Sequence, residues 1–251
     1  MRILEICAFN IQSALNAQTG GAHRIELCEN PSDGGTTPSF GTVKIVREKL
    51  NIPIHILIRP RGGDFCYSTE EFNAMKEDII AYKNLRVDGF VFGILNRNLE
   101  IDIKHCEELI KICGNSSLTF HRAFDCVPNI ELALEQIIQL GFHRILTSGQ
   151  HMTAFDGIEV LSKLLTKAEG RINIMPGGGI NNLNFEQIAI NTKAMEFHMS
   201  LTKKLVETDI KNNLHLISTN SLLTTDINSV RQVVNQLTAL GSNDKSITFA
   251  S

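Results

Sequence analysis

The feature that most restricts this chain is an alternation. Short β-branched runs, RILEIC (2–7), HRIELC (23–28), IHILI (54–58), GFVFG (89–93), SLTFH (117–121), HRILT (143–147), INIM (172–175) and AMEFH (194–198), read as strands. Stretches of helical period near 11–20, 40–50, 69–84, 101–113, 129–140, 154–168 and 182–191 separate them, with a last helix near 226–239. A helix after each strand returns the chain to the same end of the sheet, so the pattern predicts parallel strands. Eight such units in 251 residues match the size of a (β/α)₈ TIM barrel, an α/β fold, as a single domain over 1–251. A doubly wound open sheet would place a G-x-G-x-x-G turn after the first strand, where this chain reads AFNIQS. The passages GGAHRIELC and LGFHRILTS share G-x-H-R-I in the second and sixth units, as half-barrel symmetry would place them. Residues 201–225 are polar and unassigned by pattern, and GSNDKSITFAS (241–251) reads as a flexible or docking tail, which leaves a homo-oligomer open.

Charge and composition remove several classes of function. A net charge of −3 with lysines scattered along the chain gives no basic stripe for nucleic acid or an anionic membrane. No apolar run is long enough to span a bilayer, and Glu5 interrupts the amino-terminal stretch where a signal peptide needs apolar residues. The expected location is therefore cytoplasmic. Six cysteines without a C-x-x-C pair fit reduced thiols there.

Both faces of a barrel strand are buried, so polar residues of one parity must point inward. That parity gives Glu5 and Cys7, Glu26 and Cys28, His55 and Arg59 followed by Arg61, Thr119 and His121, and Glu196 and His198. These groups gather toward the carboxyl ends of the strands, the face that carries the active site in this fold. A candidate acid/base set is His121 with Glu5, Glu26 and Asp125. Candidate anion-binding groups are Arg59, Arg61, Arg122 and His198, with the loops LTSGQ (Thr147, Ser148, Gly149) and MPGGGI (Gly177, Gly178, Gly179). Glu5, Glu26, His121 and His198 also form a donor set for a divalent ion. The lysines lie in predicted helices, loops or the tail, so Schiff-base chemistry lacks its amine, and neither G-x-S-x-G nor H-E-x-x-H is present.

The segments LEIC, GAHRIELCENPSDGGTTPSFG, ILIRPRGGDFCYS, TFHRAFD, ILTSGQ, MPGGGI and EFHMS resemble, in order and spacing, the signature segments of the CutC family over residues 1 to about 200. The resemblance implies a (β/α)₈ barrel, a cytoplasmic protein and a part in copper homeostasis, with Cys7 and Cys28 as the ligands proposed for Cu(I). Cu(I) is soft and prefers sulfur, and the shared E-x-C register puts the two cysteines on adjacent strands about 4.8 Å apart. Cys106 and Cys113, seven apart on a helix, read as packing residues. Three readings stand: a Cu(I)-binding copper homeostasis protein, a barrel enzyme acting on a small anionic or phosphorylated metabolite, and a non-catalytic scaffold. The sequence leaves open whether the chain is an enzyme.

Overall fold

The structure is a computed structural model that describes residues 2–204 and 223–248, with side chains through residue 241. Eight parallel strands alternate with helices: β1 (Ile3–Ala8), α1 (Ile11–Gly20), β2 (Arg24–Leu27), α2 (Phe40–Lys49), β3 (Ile54–Leu57), α3 (Thr69–Asn84), β4 (Gly89–Phe92), α4 (Ile103–Cys113), β5 (Ser117–Phe120), α5 (Ile130–Leu140), β6 (Arg144–Thr147), α6 (Ile158–Ala168), β7 (Asn173–Pro176), α7 (Phe185–Thr192) and β8 (Glu196–Met199). The sheet runs β7-β6-β5-β4-β3-β2-β1-β8, and a parallel bridge from Gly177 to His198 nearly closes it into a barrel. The chain thus has the TIM-barrel architecture that its alternation predicts.

The outward parity of each strand is apolar. Leu4, Ile6, Ile25, Leu27, Ile54, Ile56, Phe90, Phe92, Leu118, Phe120, Ile145, Ile174 and Phe197 are buried against the helices and form the main core. Most helices begin where a small polar residue can take a free backbone N–H. Asn10, Ser39, Ser68, Asp102 and Asn129 each accept from the residue three positions on, and Ser68 with Glu71 completes a reciprocal capping box on α3.

The segment that pattern left unassigned holds an antiparallel ribbon, β9 (Thr202–Lys204) with β10 (Leu223–Thr225), tied to α1 through Asn10 and Asn16. Residues 205–222 lie outside the described residues. The last helix, α8 (Ile227–Thr248), passes the expected end near 239 and takes in most of the proposed tail, whose residues 249–251 are also outside the described residues. Gly241 alone does not end it, because an isolated glycine costs a helix only about 1 kcal/mol. Val230 and Val233 of this helix are fully buried, and Val230 presses on Gly20, where an added Cβ would lie 2.6 Å from the valine.

Candidate functional site

Inside the barrel the side chains are charged where most barrels carry Val, Ile or Leu. Near the amino ends of the strands, Arg24 on β2 and Arg144 on β6 both donate to Oε2 of Glu196 on β8, at 2.6 and 3.0 Å, and Arg24 also binds Glu5 on β1. Two arginines thus meet two carboxylates, all four side chains about nine-tenths buried or more. Burial by itself would raise the Glu5 carboxyl, but Arg24 and His198 together hold it well below the usual carboxylate range. His55 stands 3.6 Å from Glu5 and is driven by burial down to about 3, so its ring is neutral.

The repeated G-x-H-R-I passage accounts for the two arginines. Gly21 and Gly141 cap α1 and α5 in the left-handed conformation, with φ of 94° and 83°. His23 and His143 then accept, through Nδ1, the backbone N–H of Leu4 and Leu118, each at 3.1 Å. Their own N–H groups donate to the carbonyls of those same two residues at 3.0 Å. The clasp is identical in the second and sixth units and delivers Arg24 and Arg144 to the same glutamate. Neither arginine stood among the sequence candidates; the echo and the inward parity of Arg24 with Glu26 were the available signals.

Above this layer the network reaches the barrel mouth. The imidazolium of His198 donates from Nδ1 to Oε1 of Glu5 at 2.8 Å, and its Nε2 lies 3.5 Å from Glu26. Burial opposes charge on this ring, but Glu26, Cys7 and Glu5 carry it well above its ordinary value. Burial also raises the Glu26 carboxyl. One donor atom each from Cys7, Glu26 and His198 lie within 4.8 Å of one another, a grouping with metal-ligand character. Cys7 Sγ is 3.3 Å from Cys28 Sγ, and this contact, with burial, pushes the Cys7 thiol well up. Cys28 is fully buried behind Cys7, in a small cluster with Leu57 and Val91.

A cavity of about 330 Å³ opens at the carboxyl ends of the strands. It brings together seven of the sequence-selected residues: Cys7, Glu26, Arg59, His121, Arg122, Asp125 and His198. Glu5 sits beneath it on His198, and Cys28 behind Cys7. The other candidates are elsewhere. Arg61 points away, pairing with Asp64 and Glu71 at a second cavity of about 760 Å³ near the start of α3. Thr147 and Ser148 serve Asp125: its carboxylate accepts the Thr147 hydroxyl and the N–H groups of Ser148 and Gln150, and pairs with Arg122 at 2.7 Å. The Gly149 N–H donates to the Thr147 hydroxyl. The loop after β6 therefore cradles an anion, and that anion is the protein's own Asp125. Gly177 gives close passage, since a Cβ there would lie 2.4 Å from Leu146, while Gly178 lies beneath the Arg122 guanidinium and Gly179 beside Thr153. Cys106 and Cys113 are buried in α4, as packing residues are.

Comparison with known proteins agrees with this architecture. The family model described as "CutC family" matches residues 2–203. The human copper homeostasis protein cutC homolog is 46% identical over 198 residues, which is 79% of this chain and 72% of that protein. A CutC family protein of Bacteroides thetaiotaomicron is 43% identical over 244 residues, 95% of this chain and 98% of the relative. The crystal structure of a copper homeostasis protein CutC from Streptococcus agalactiae superposes with a TM-score of 0.77 at 35% identity, covering 80% of this chain and 99% of that one. Phosphoribosyl anthranilate isomerase from Thermotoga maritima, at 11% identity and a TM-score of 0.59, shares the barrel fold alone. With the family match spanning every barrel strand, from β1 to β8, this chain belongs to the CutC family of copper homeostasis proteins.

Proposed function

We propose that this protein binds Cu(I) through Cys7 and Cys28 and does so in the cytoplasm, as its part in copper homeostasis. The observation that carries the reading is the pair of thiols 3.3 Å apart behind the floor of the mouth cavity. One thiol donates its proton to the other sulfur in an S–H···S contact, and a soft monovalent cation that displaces the two thiol protons is bonded by both sulfurs as they move apart to admit it. Each thiol surrenders its proton on binding, and the carboxylate of Glu26 stands close to Cys7 to receive one. The names of the curated relatives support copper as the cargo. Unbridged cysteines suit a reducing compartment, and among the described residues no helix is long and apolar enough to cross a membrane.

The test is Cu(I) retention against a chelator under anaerobic conditions. Wild type is expected to hold one Cu(I) per chain, and the double variant Cys7→Ser, Cys28→Ser to lose stoichiometric retention while its circular dichroism is unchanged. Retention equal to wild type in the folded double variant overturns the reading.

A further inference from the structure

The mouth cavity presents a ring N–H without an acceptor and a guanidinium without a carboxylate in contact, among the described residues. His121, at the carboxyl end of β5, is 5% exposed and packs against Phe65 with ring centroids 4.8 Å apart. Its Nδ1 accepts the Ala123 N–H at 3.2 Å, so in the neutral ring the hydrogen sits on Nε2. Burial together with the neighbouring Arg59 brings the ring down to about 3, which keeps it neutral. The Nε2 atom is buried with no hydrogen-bond partner, an unusual cost for a native structure. Gly93 holds this geometry open, because a Cβ there would stand 2.7 Å from His121 Nδ1.

Arg59 is the second such group. It is 5% exposed and its guanidinium donates only to carbonyls: Nη1 to Asp33 and Gly35 at 2.6 and 2.7 Å, and Nη2 to Gly63 at 2.8 Å. It lies 5.0 Å over the Phe65 ring and makes no ion pair among the described residues. Asp64 feels the charge of Arg59 but none of the described carboxylates touches it, and a buried cation held only by neutral dipoles favours an anion in contact with it.

Both side chains line the cavity, along with Leu57, Phe65 and Leu146 and with the acids Asp33, Glu26 beside His198 and Asp125 paired with Arg122. We propose that this cavity binds a small organic carboxylate, one oxygen of which accepts the His121 Nε2–H. Arg59 supplies the positive field, and Leu57, Phe65 and Leu146 cover the hydrocarbon part. Geometry favours a carboxylate over a phosphate ester. The donors of the loop after β6 are spent on Asp125, and Gly177–Gly179 do not line the cavity. One free N–H and one capped guanidinium match a single charge better than a dianion with many acceptor oxygens. The proposal stands apart from the copper reading, because it uses neither thiol.

The experiment uses the copper-free full chain labelled with ¹⁵N, so that its outcome does not depend on Cu(I) retention. Long-range ¹H–¹⁵N spectra of the imidazole rings are followed during titration with acetate, butyrate and inorganic phosphate. The expected result is a saturable shift of the His121 Nε2 resonance with both carboxylates, butyrate saturating at the lower concentration because its chain meets the apolar wall. His121→Gln, which keeps an N–H near the Nε2 position, retains butyrate binding, whereas His121→Phe weakens it about tenfold or more. Absence of a saturable shift in the wild-type protein overturns the proposal, as does phosphate saturating below both carboxylates. Equal butyrate affinity in folded His121→Phe also overturns it.

Discussion

At the scale of single residues, the interior shows how one carboxylate can occupy a site that looks ready for a ligand. The loop Thr147–Gly149 has the glycine and hydroxyl content of an anion cradle, and the anion it holds is Asp125, 22 residues earlier in the chain. This fixes Arg122 and shapes one wall of the cavity. Replacing Asp125 by alanine leaves the N–H groups of Ser148 and Gln150 without their acceptor and Arg122 without its counter-ion. The expected loss is about 3 kcal/mol of unfolding free energy by urea titration. A loss below about 0.5 kcal/mol would show that water replaces the carboxylate at no cost. The sequence showed Asp125 at the end of a strand but not its partner, because a contact between consecutive β/α units depends on the barrel's curvature.

At the scale of elements, local chemistry and pattern agreed closely. The eight strands fall within about two residues of their expected limits, since β-branched runs and flanking turns are local properties. Helix starts are equally local. The capping box of Ser68 and Glu71 on α3 is readable as S-T-E-E, and the structure adds Arg61, which binds the Glu71 carboxylate and so ties the α3 start to the loop after β3. Ser68→Ala is expected to lower stability by about 1 kcal/mol, read as a shift in the urea midpoint without change in slope. The repeated G-x-H-R-I passage was visible as text, but its meaning was not. Only the structure shows each histidine clasping the preceding strand and each arginine reaching Glu196.

For the whole molecule, the charged interior makes stability depend on pH. His55 and His121 are held neutral by burial, with values near 3, while the unfolded chain titrates near 6.5. Between those limits the unfolded state binds more protons, so each ring makes stability fall as pH falls, by about 2 kcal/mol from pH 7 to pH 5. His198 has the opposite sign: its raised value favours the folded state below 6.5, and that contribution is lost as pH rises through the folded value. Glu26, raised by burial, also opposes the two histidines in acid. The difference between proteins isolates one ring. Folded His121→Gln is expected to lose about 2 kcal/mol less than wild type between pH 7 and pH 5 in urea titrations, and parallel curves would show that His121 is protonated in the native state.

The sequence by itself determined the barrel and its strand parity. The alternation of strand and helix and the parity of each strand are set by nearest-neighbour geometry, and pattern alone conveys them; the charged layer of Arg24, Arg144 and Glu196 at the amino ends of the strands, opposite to the carboxyl-end gathering that parity suggested, is not conveyed by it. Tertiary structure decided which charges neutralise one another and which remain for a ligand. Glu5, Glu26, Arg59, Arg61, His121 and His198 are alike as text. Barrel closure separates them into an ion-paired network, a rim arginine bound to α3, and a neutral histidine and a capped arginine facing an open cavity. The reason is physical. Coulomb and hydrogen-bond energies depend on separations of a few ångströms between strands distant in sequence, and only strand order, register and closure set those separations.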